Sequence, residues 1–347
     1  MIYLFIFVPL IWFAFAKLFF KAKVTWQEAA ICMGMALVII IVCKQTSIGL
    51  QTVDSEIWNS RVEKKYKAEV SCEHSYQCNP HPVTTGYGKD ARTTIQYDTC
   101  YEHDHDFDWV VRSSLDDIFR ISRVDRRGVN EPPRWTGTAI GDPVAVSHMY
   151  TNWLKAVPES LFASKGNYDK YSVPGYPSGI YDYYNLDRVI NPPYTAINKE
   201  LSLALREMGP SAQANVILVF SKDPNMEYAY AVRTKWGGGK KNDVIVVANP
   251  GSWVKVFSLS TQAIFEVQLE KELLDAPIDK YVAIIKDNVL HNFKRKPMKD
   301  FAYLKAQIKM PIYMIALCFL LPLVGSVTTT VITNDWVDKL QRRRYRR

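Results

Sequence analysis

The sequence predicts an α/β fold class: a membrane-anchored α/β sandwich, preceded by a turn-rich, mostly β region that holds the Cys/His residues, with three transmembrane helices. Three observations lead there. Long apolar runs at 2–16, 24–43 and 310–332 suit bilayer-spanning helices. Two runs of buried-strand composition, Asn215–Phe220 and Asp243–Ala248, flank a helical stretch, Met226–Trp236, and the break Gly237-Gly238-Gly239-Lys240-Lys241, the pattern of a strand–helix–strand unit. The apolar content, 48% of 347 residues, is ample for a sizeable core. The expected order is two spans in 1–45, a Cys/His- and aromatic-rich region in 46–190, an α/β domain in 191–308, a third span in 309–333 and a basic cytoplasmic tail in 334–347.

The first apolar run ends at Lys17. Ala14-Phe15-Ala16 resembles a signal-peptidase site, but no basic residue precedes the run and a second run follows at once, so an uncleaved span is the better reading. The third run is bounded by Lys309 and by Arg342, Arg343, Arg344, Arg346 and Arg347. Lys17, Lys21 and Lys23 between the first two runs would share a side with that tail. Short basic flanks favour the cytoplasm, which puts the N-terminus and residues 45–309 outside, in a periplasmic or extracellular compartment. The cluster Lys294, Arg295, Lys296, Lys299, Lys305 and Lys309 opposes this, but long translocated domains largely escape the charge rule. The net charge of +8 is thus concentrated near apolar segments, which suits a lipid bilayer surface and no nucleic acid. No span carries an ionisable residue at its centre, and Ser326 and Thr328–Thr330 are expected to bond back within their helix, so a channel has little support.

Ser55–Lys67 mixes charged and apolar residues and reads as a short helical stalk. The densest polar chemistry follows, in Cys72, His74, Cys78, His81, Cys100, His103, Asp104, His105, Asp106 and Asp108; four of the six histidines fall here. Three readings stay open. Cys72, Cys78, Cys100 and His103 have the donor types of a zinc site, although Cys72 and Cys78 are more widely spaced than an ordinary knuckle. Alternatively two cysteines form a disulfide, most simply Cys72–Cys78 or one of these with Cys100, as an oxidising compartment favours, leaving an odd thiol. The third reading is ordinary surface polarity. Asp104-x-Asp106-x-Asp108 begins like a calcium loop, but Trp109 and Leu115 occupy the positions that need glycine and glutamate, which excludes an EF-hand. If extended, this stretch puts the three aspartates on one face, expected to be a solvated acidic face.

Between 110 and 190, turn signals alternate with strand-like fragments and many tyrosines, Tyr181, Tyr183 and Tyr184 among them; Asn191-Pro192-Pro193 marks a boundary. Ile197, Leu201, Leu205 and Met208 recur at helical spacing until Gly209-Pro210, read as the stop. The order from there is helix, strand, helix, strand, strand, helix, helix. The glycine break lacks the Ser or Thr and the following helix of a phosphate loop, and is expected to be a flexible connector. No serine nucleophile elbow or Cys/His catalytic pair is evident.

Tyr228-Ala-Tyr-Ala-Val-Arg-Thr-Lys-Trp236, the Gly/Lys/Asn break, Asp243-Val-Ile-Val-Val247, Leu273-Leu274-Asp275 and Ile284–Phe293 resemble, in that order, the TPM-domain family over about 193–308. The resemblance implies a membrane-tethered α/β sandwich facing the lumen, periplasm or exterior. Family members are described variously as acid phosphatases, photosystem-repair factors and auxiliary subunits of a receptor channel. Where many have Gly-x-Gly-x-Glu, this chain has Ser258–Glu266 without the glycines, which argues against a phosphatase or metal role through that loop. Only Asp275 and Glu266 carry over, as the catalytic pair of an alternative phosphate-ester hydrolase. Cys100–Trp109 with Glu131-Pro-Pro-Arg-Trp135 is also similar to uncharacterised membrane proteins of tailed phages, which implies a bacterial periplasm outside. The expected function is a non-catalytic membrane-anchored interaction protein, bound to a membrane or envelope protein partner, with zinc the one cofactor in question.

Overall fold

In lipid a long uncharged apolar run satisfies its own backbone by forming a helix, and Pro322 inside the third run does not end it. In the computed structural model, which describes residues 2–86, 88, 92–157, 168–180, 186–191 and 195–344, three helices are long and apolar enough to cross a membrane. A 3-10 turn at Ile2–Phe7 leads into α1 (Val8–Phe19), and α2 (Trp26–Thr52) follows. The start of α2 is fixed by a capping box, in which the Glu28 amide donates to Thr25 Oγ1 and the Thr25 amide to Glu28 Oε2 at 2.8 Å. This helix passes the expected limit at 45, because 45–52 lacks proline and Gln51 and Thr52 bond back to Ser47 and Ile48.

Residues 1–54, 149–163 and 297–347 form one compact unit. Within it, Cys43 and Ile40 pack on Met314 and Cys318, and Phe13 packs on Ala29 and Cys32. Ser326, Thr328, Thr329 and Thr330 each donate to the carbonyl four residues earlier. The last helix runs on through the expected tail as far as Arg344; Arg346 and Arg347, like Tyr181, Tyr183, Tyr184, Pro192 and Pro193, lie outside the described residues.

The second unit comprises 55–148 and 164–296 and so includes most of both expected ectodomain regions. Where a helical stalk was expected, the chain forms a strand, β1 (Val53–Val70). Tyr66, Ala68 and Val70 alternate with Lys65, Lys67 and Glu69, which is the period of a strand, and the mixed composition of 55–64 hides it. Next come β2 (Ser75–Thr85), β3 (Arg92–Tyr101), β4 (Asp106–Ser113), β5 (Ile118–Ile121), the short α3 (Pro133–Thr136), β6 (Pro143–Thr151) and α4 (Trp153–Ala156). One sheet has the order β5-β4-β1-β6, with β4 antiparallel to both β1 and β5. Its core is Val62, Trp109, Val111, Ile121 and Val144. Strands β2 and β3 form a separate two-stranded ribbon, mostly exposed on both faces.

The α/β part follows the expected order of elements: β7 (Val189–Ile190), α5 (Thr195–Ala212), β8 (Asn215–Phe220), α6 (Glu227–Lys235), β9 (Asp243–Asn249), β10 (Trp253–Ser258), α7 (Phe265–Leu274), α8 (Tyr281–Asn292) and, in the other unit, α9 (Ile312–Arg344). The short β7 was not foreseen. The sheet order is β10-β9-β8-β7, parallel except for β10. Period two assigns the two faces. Val216, Leu218, Val244 and Val246 meet α5, α7 and α8, whereas Ile217, Val219, Ile245 and Val247 meet α6. Helix α5 does not stop at Gly209-Pro210 but runs to Ala212. Gly209 is there because the β1 backbone crosses it: a Cβ would lie 1.8 Å from the Asn59 carbonyl oxygen.

Candidate functional site

The four-residue stretch between β3 and β4, 102–105, turns before the chain extends again, and that turn decides the chemistry. Bends at 102–104 delay the strand until Asp106, so the expected alternation of Asp104, Asp106 and Asp108 on one solvated face does not occur. Asp104 is exposed, Asp106 is fully buried and Asp108 is half-buried. The same turn folds His103 back onto Asp106, with Nδ1 3.2 Å from Asp106 Oδ1.

Cys78 and Cys100 form a disulfide across the ribbon, so those two sulfurs are not thiolates and do not join Cys72 and His103 in a four-ligand set. Cys72, just after β1, remains a free and buried thiol. Its Sγ lies 3.7 Å from His103 Nδ1 and receives the His74 amide at 3.4 Å. Ligand atoms of Cys72, His103 and Asp106 all fall within 4.8 Å of one another. The other histidines of the window turn elsewhere: His74 to the Arg126 carbonyl, His81 to that of Asn79, and His105 towards Glu69.

Arg123, which no sequence signal singled out, organises the surroundings. Its guanidinium donates to Asp108 Oδ1 from Nη2 at 2.6 Å and to Asp106 Oδ2 from Nη1 at 3.2 Å. The Glu73 amide is the second donor to Asp106 Oδ2, at 3.1 Å. Burial pushes the Asp106 carboxyl up, but the Glu73 amide, the Arg123 charge and the His103 contact together hold it below the usual carboxylate range. Beside these residues an open cavity of about 510 Å³ is lined by Glu73, His74, Arg120, Arg123 and Arg126, among others.

Chemically, a nucleophile–base–carboxylate relay needs the thiol and the carboxylate on opposite nitrogens of the imidazole. Here both face Nδ1, so His103 does not pass a proton from Cys72 to Asp106. The arrangement converges on one point, as ligands do.

The second polar cluster, also missed by sequence reading, is structural. Asp243 at the start of β9 is buried and accepts from Asn215 Nδ2 at 2.7 Å, Lys240 N at 2.7 Å and Tyr176 Oη at 2.8 Å. The glycine break is therefore a defined turn closing on Asp243, not a loose connector. Buried Glu56 takes Lys241 at 3.0 Å and Arg295 at 3.4 Å.

The structure does not bring Glu266 and Asp275 together. Glu266, in the first turn of α7, accepts the Ser258 amide and hydroxyl, while Asp275 is the residue that ends the helix. Nine residue steps along the helix, at about 1.5 Å each, put them about 14 Å apart, too far for one cation. No family model, curated protein or solved structure matches this chain.

Proposed function

We propose that the chain is a membrane-anchored interaction protein whose large region between the second and third helices lies outside, in a periplasmic or extracellular space, and binds a membrane or envelope protein. The Cys78–Cys100 disulfide carries this reading, because it sits in the segment that the lysines of the first loop and the arginine-rich tail send outward. Two independent arguments, charge asymmetry and redox compartment, point the same way. The TPM-like assignment of the C-terminal ectodomain is supported by the layered, mostly parallel sheet with helices on both faces. A bacterial periplasm as the outside compartment rests on the phage resemblance alone.

The ribbon is the favoured contact. Register puts Ile95, Tyr97 and Tyr101 on one of its faces and the disulfide on the other, and all three apolar side chains are more than half exposed. Phosphate-ester hydrolysis is the weaker reading, given the separation of Glu266 from Asp275.

Two measurements test the proposal. An impermeant maleimide should label His291→Cys in intact cells; labelling only after permeabilisation overturns the orientation. A photo-crosslinker at Tyr97 should capture a membrane or envelope protein that the same group at Asp287, on α8, does not. Identical products from both positions, or none from Tyr97, would sink the interaction reading.

A further inference from the structure

We infer that Cys72, His103 and Asp106 bind a zinc ion, with water in the fourth position. The inference starts from donor type. Thiolate, imidazole and carboxylate together suit zinc, whereas calcium and magnesium call for oxygen alone.

Two of the three ligand-to-ligand spacings are close to those of this assignment, and all three fall within 4.8 Å. Ligand atoms at the corners of a tetrahedron with zinc bonds of about 2.0–2.3 Å stand roughly 3.3–3.6 Å apart. Cys72 Sγ to His103 Nδ1 is 3.7 Å and His103 Nδ1 to Asp106 Oδ1 is 3.2 Å. A mean displacement of a few tenths of an ångström brings both to the expected edge.

The outer contacts divide the remaining hydrogen-bonding capacity as a metal requires. Asp106 Oδ2 is taken by Arg123 Nη1 and the Glu73 amide, which leaves Oδ1 for the ion. The His74 N–H aimed at Cys72 Sγ is a donor to a sulfur that carries negative charge when metal-bound. Such contacts orient ligands and tune them. Charge closes too, since one thiolate and one carboxylate balance a divalent cation while Arg123 is matched by Asp108.

Accessibility sets the coordination. Cys72 and Asp106 are buried, whereas the His103 side chain is 26% exposed, so solvent reaches the site from the histidine side. Three protein ligands and an open fourth position is the arrangement of a reactive zinc, not of a closed structural one. The site also accounts for the odd thiol. With Cys78 and Cys100 paired, Cys72 is the one cysteine of residues 46–309 left unbridged, and metal binding protects a thiol that an oxidising compartment would otherwise consume. The assignment does not depend on the interaction reading above.

The test uses the full chain purified in detergent with its disulfide intact. After chelation, cobalt(II) titration should give a thiolate-to-cobalt charge-transfer band at one equivalent, and zinc should remove it. Cys72→Ser should abolish the band, His103→Gln should weaken zinc binding at least about 10-fold, and Cys78→Ser/Cys100→Ser should keep the band. X-ray absorption of the zinc-loaded wild type needs no variant to fold, and should show one sulfur at about 2.3 Å with nitrogen or oxygen neighbours. Substoichiometric metal, a band that persists in Cys72→Ser, or more than one sulfur around zinc would each overturn the inference.

Discussion

Asn215 Nδ2 donates to Asp243 Oδ1 at 2.7 Å across the first rung of the parallel pair β8–β9, with both side chains buried. Asn59 Nδ2 in turn donates to Asn215 Oδ1 at 3.1 Å. The direction of each bond is therefore set by the last acceptor, and only a carboxylate accepts from Asn215, Lys240 and Tyr176 together.

Asp243→Asn should destabilise the protein by at least about 2 kcal/mol, since an amide nitrogen would face the Lys240 or the Asn215 donor. The pH dependence should change as well. Burial pushes the Asp243 carboxyl above the usual carboxylate range, against its hydrogen bonds and Arg188. A raised folded-state pKa gives stability that is full below the unfolded value of about 3.9 and is lost as pH rises through the folded value. Thermal melting of the full chain in detergent above pH 4 should show this decline in the wild type and not in Asp243→Asn. Equal slopes would count against it.

Gly209→Ala tests the crossing of α5 by β1. Alanine would gain about 1 kcal/mol of helix propensity. Its Cβ would fall 1.8 Å from the Asn59 oxygen and 2.5 Å from the Asn59 carbonyl carbon, both backbone atoms that cannot rotate away. The overlap should win, with a net loss of about 1–3 kcal/mol. Gly34→Ala, with nothing within 4 Å, is the control and should lose nothing. A Gly209→Ala protein that melts no lower than wild type would refute the close approach.

The disulfide should act locally. Its cysteines are 22 residues apart, which corresponds to about 3 kcal/mol of loop closure. That effect falls on a two-stranded ribbon with little core of its own, and such ribbons are marginal in water. Reduction should therefore speed hydrogen exchange in β2 and β3 and leave buried Val110 and Val111 in β4 protected. Simultaneous loss of protection in both segments would show that the ribbon and the sheet unfold together.

What sequence revealed depended on whether the signal was local. The strands Asn215–Phe220 and Asp243–Ala248 are buried on both faces, so their composition alone marks them, and the helices around them were legible from spacing. The spans were legible for the same reason. Strand β1 was not, because its charged positions 63–65 and 67 suggested a helix and its partner β4 lies some forty residues on. Gly209 read as a helix stop because its reason, the passing Asn59 carbonyl, is 150 residues away. Cys72 and His103 were visible as candidates by type. Their separation from Cys78 and Cys100, and the recruitment of Asp106 and Arg123, depend on a turn at 102–105 that no periodicity announces.

The loop that carries Gly128 gives an acid-side prediction with the opposite sign to that for Asp243. Asp125 accepts the Asn130 amide at 2.7 Å and the Val129 amide at 3.1 Å. The Asn130 N–H is the largest influence and, with the Val129, Gly128 and Arg127 amides, it holds the Asp125 carboxyl below the usual range despite some burial. A lowered folded-state pKa gives stability that is present above about pH 3.9 and lost as pH falls through the folded value. The loop matters to its neighbours, since the Phe107 amide donates to Arg127 O at 2.8 Å and Trp109 Nε1 to Gly128 O at 3.0 Å. Asp125→Asn should melt below wild type at pH 7, because an amide has one acceptor where the carboxylate has two. The gap should begin to close as pH falls below the unfolded value of about 3.9 and should be gone once pH is below the lowered folded value, where the wild-type carboxyl is neutral in both states. A gap that stays constant from pH 7 to pH 3 would mean that the charge of Asp125 contributes nothing and that the loop is held by its backbone alone.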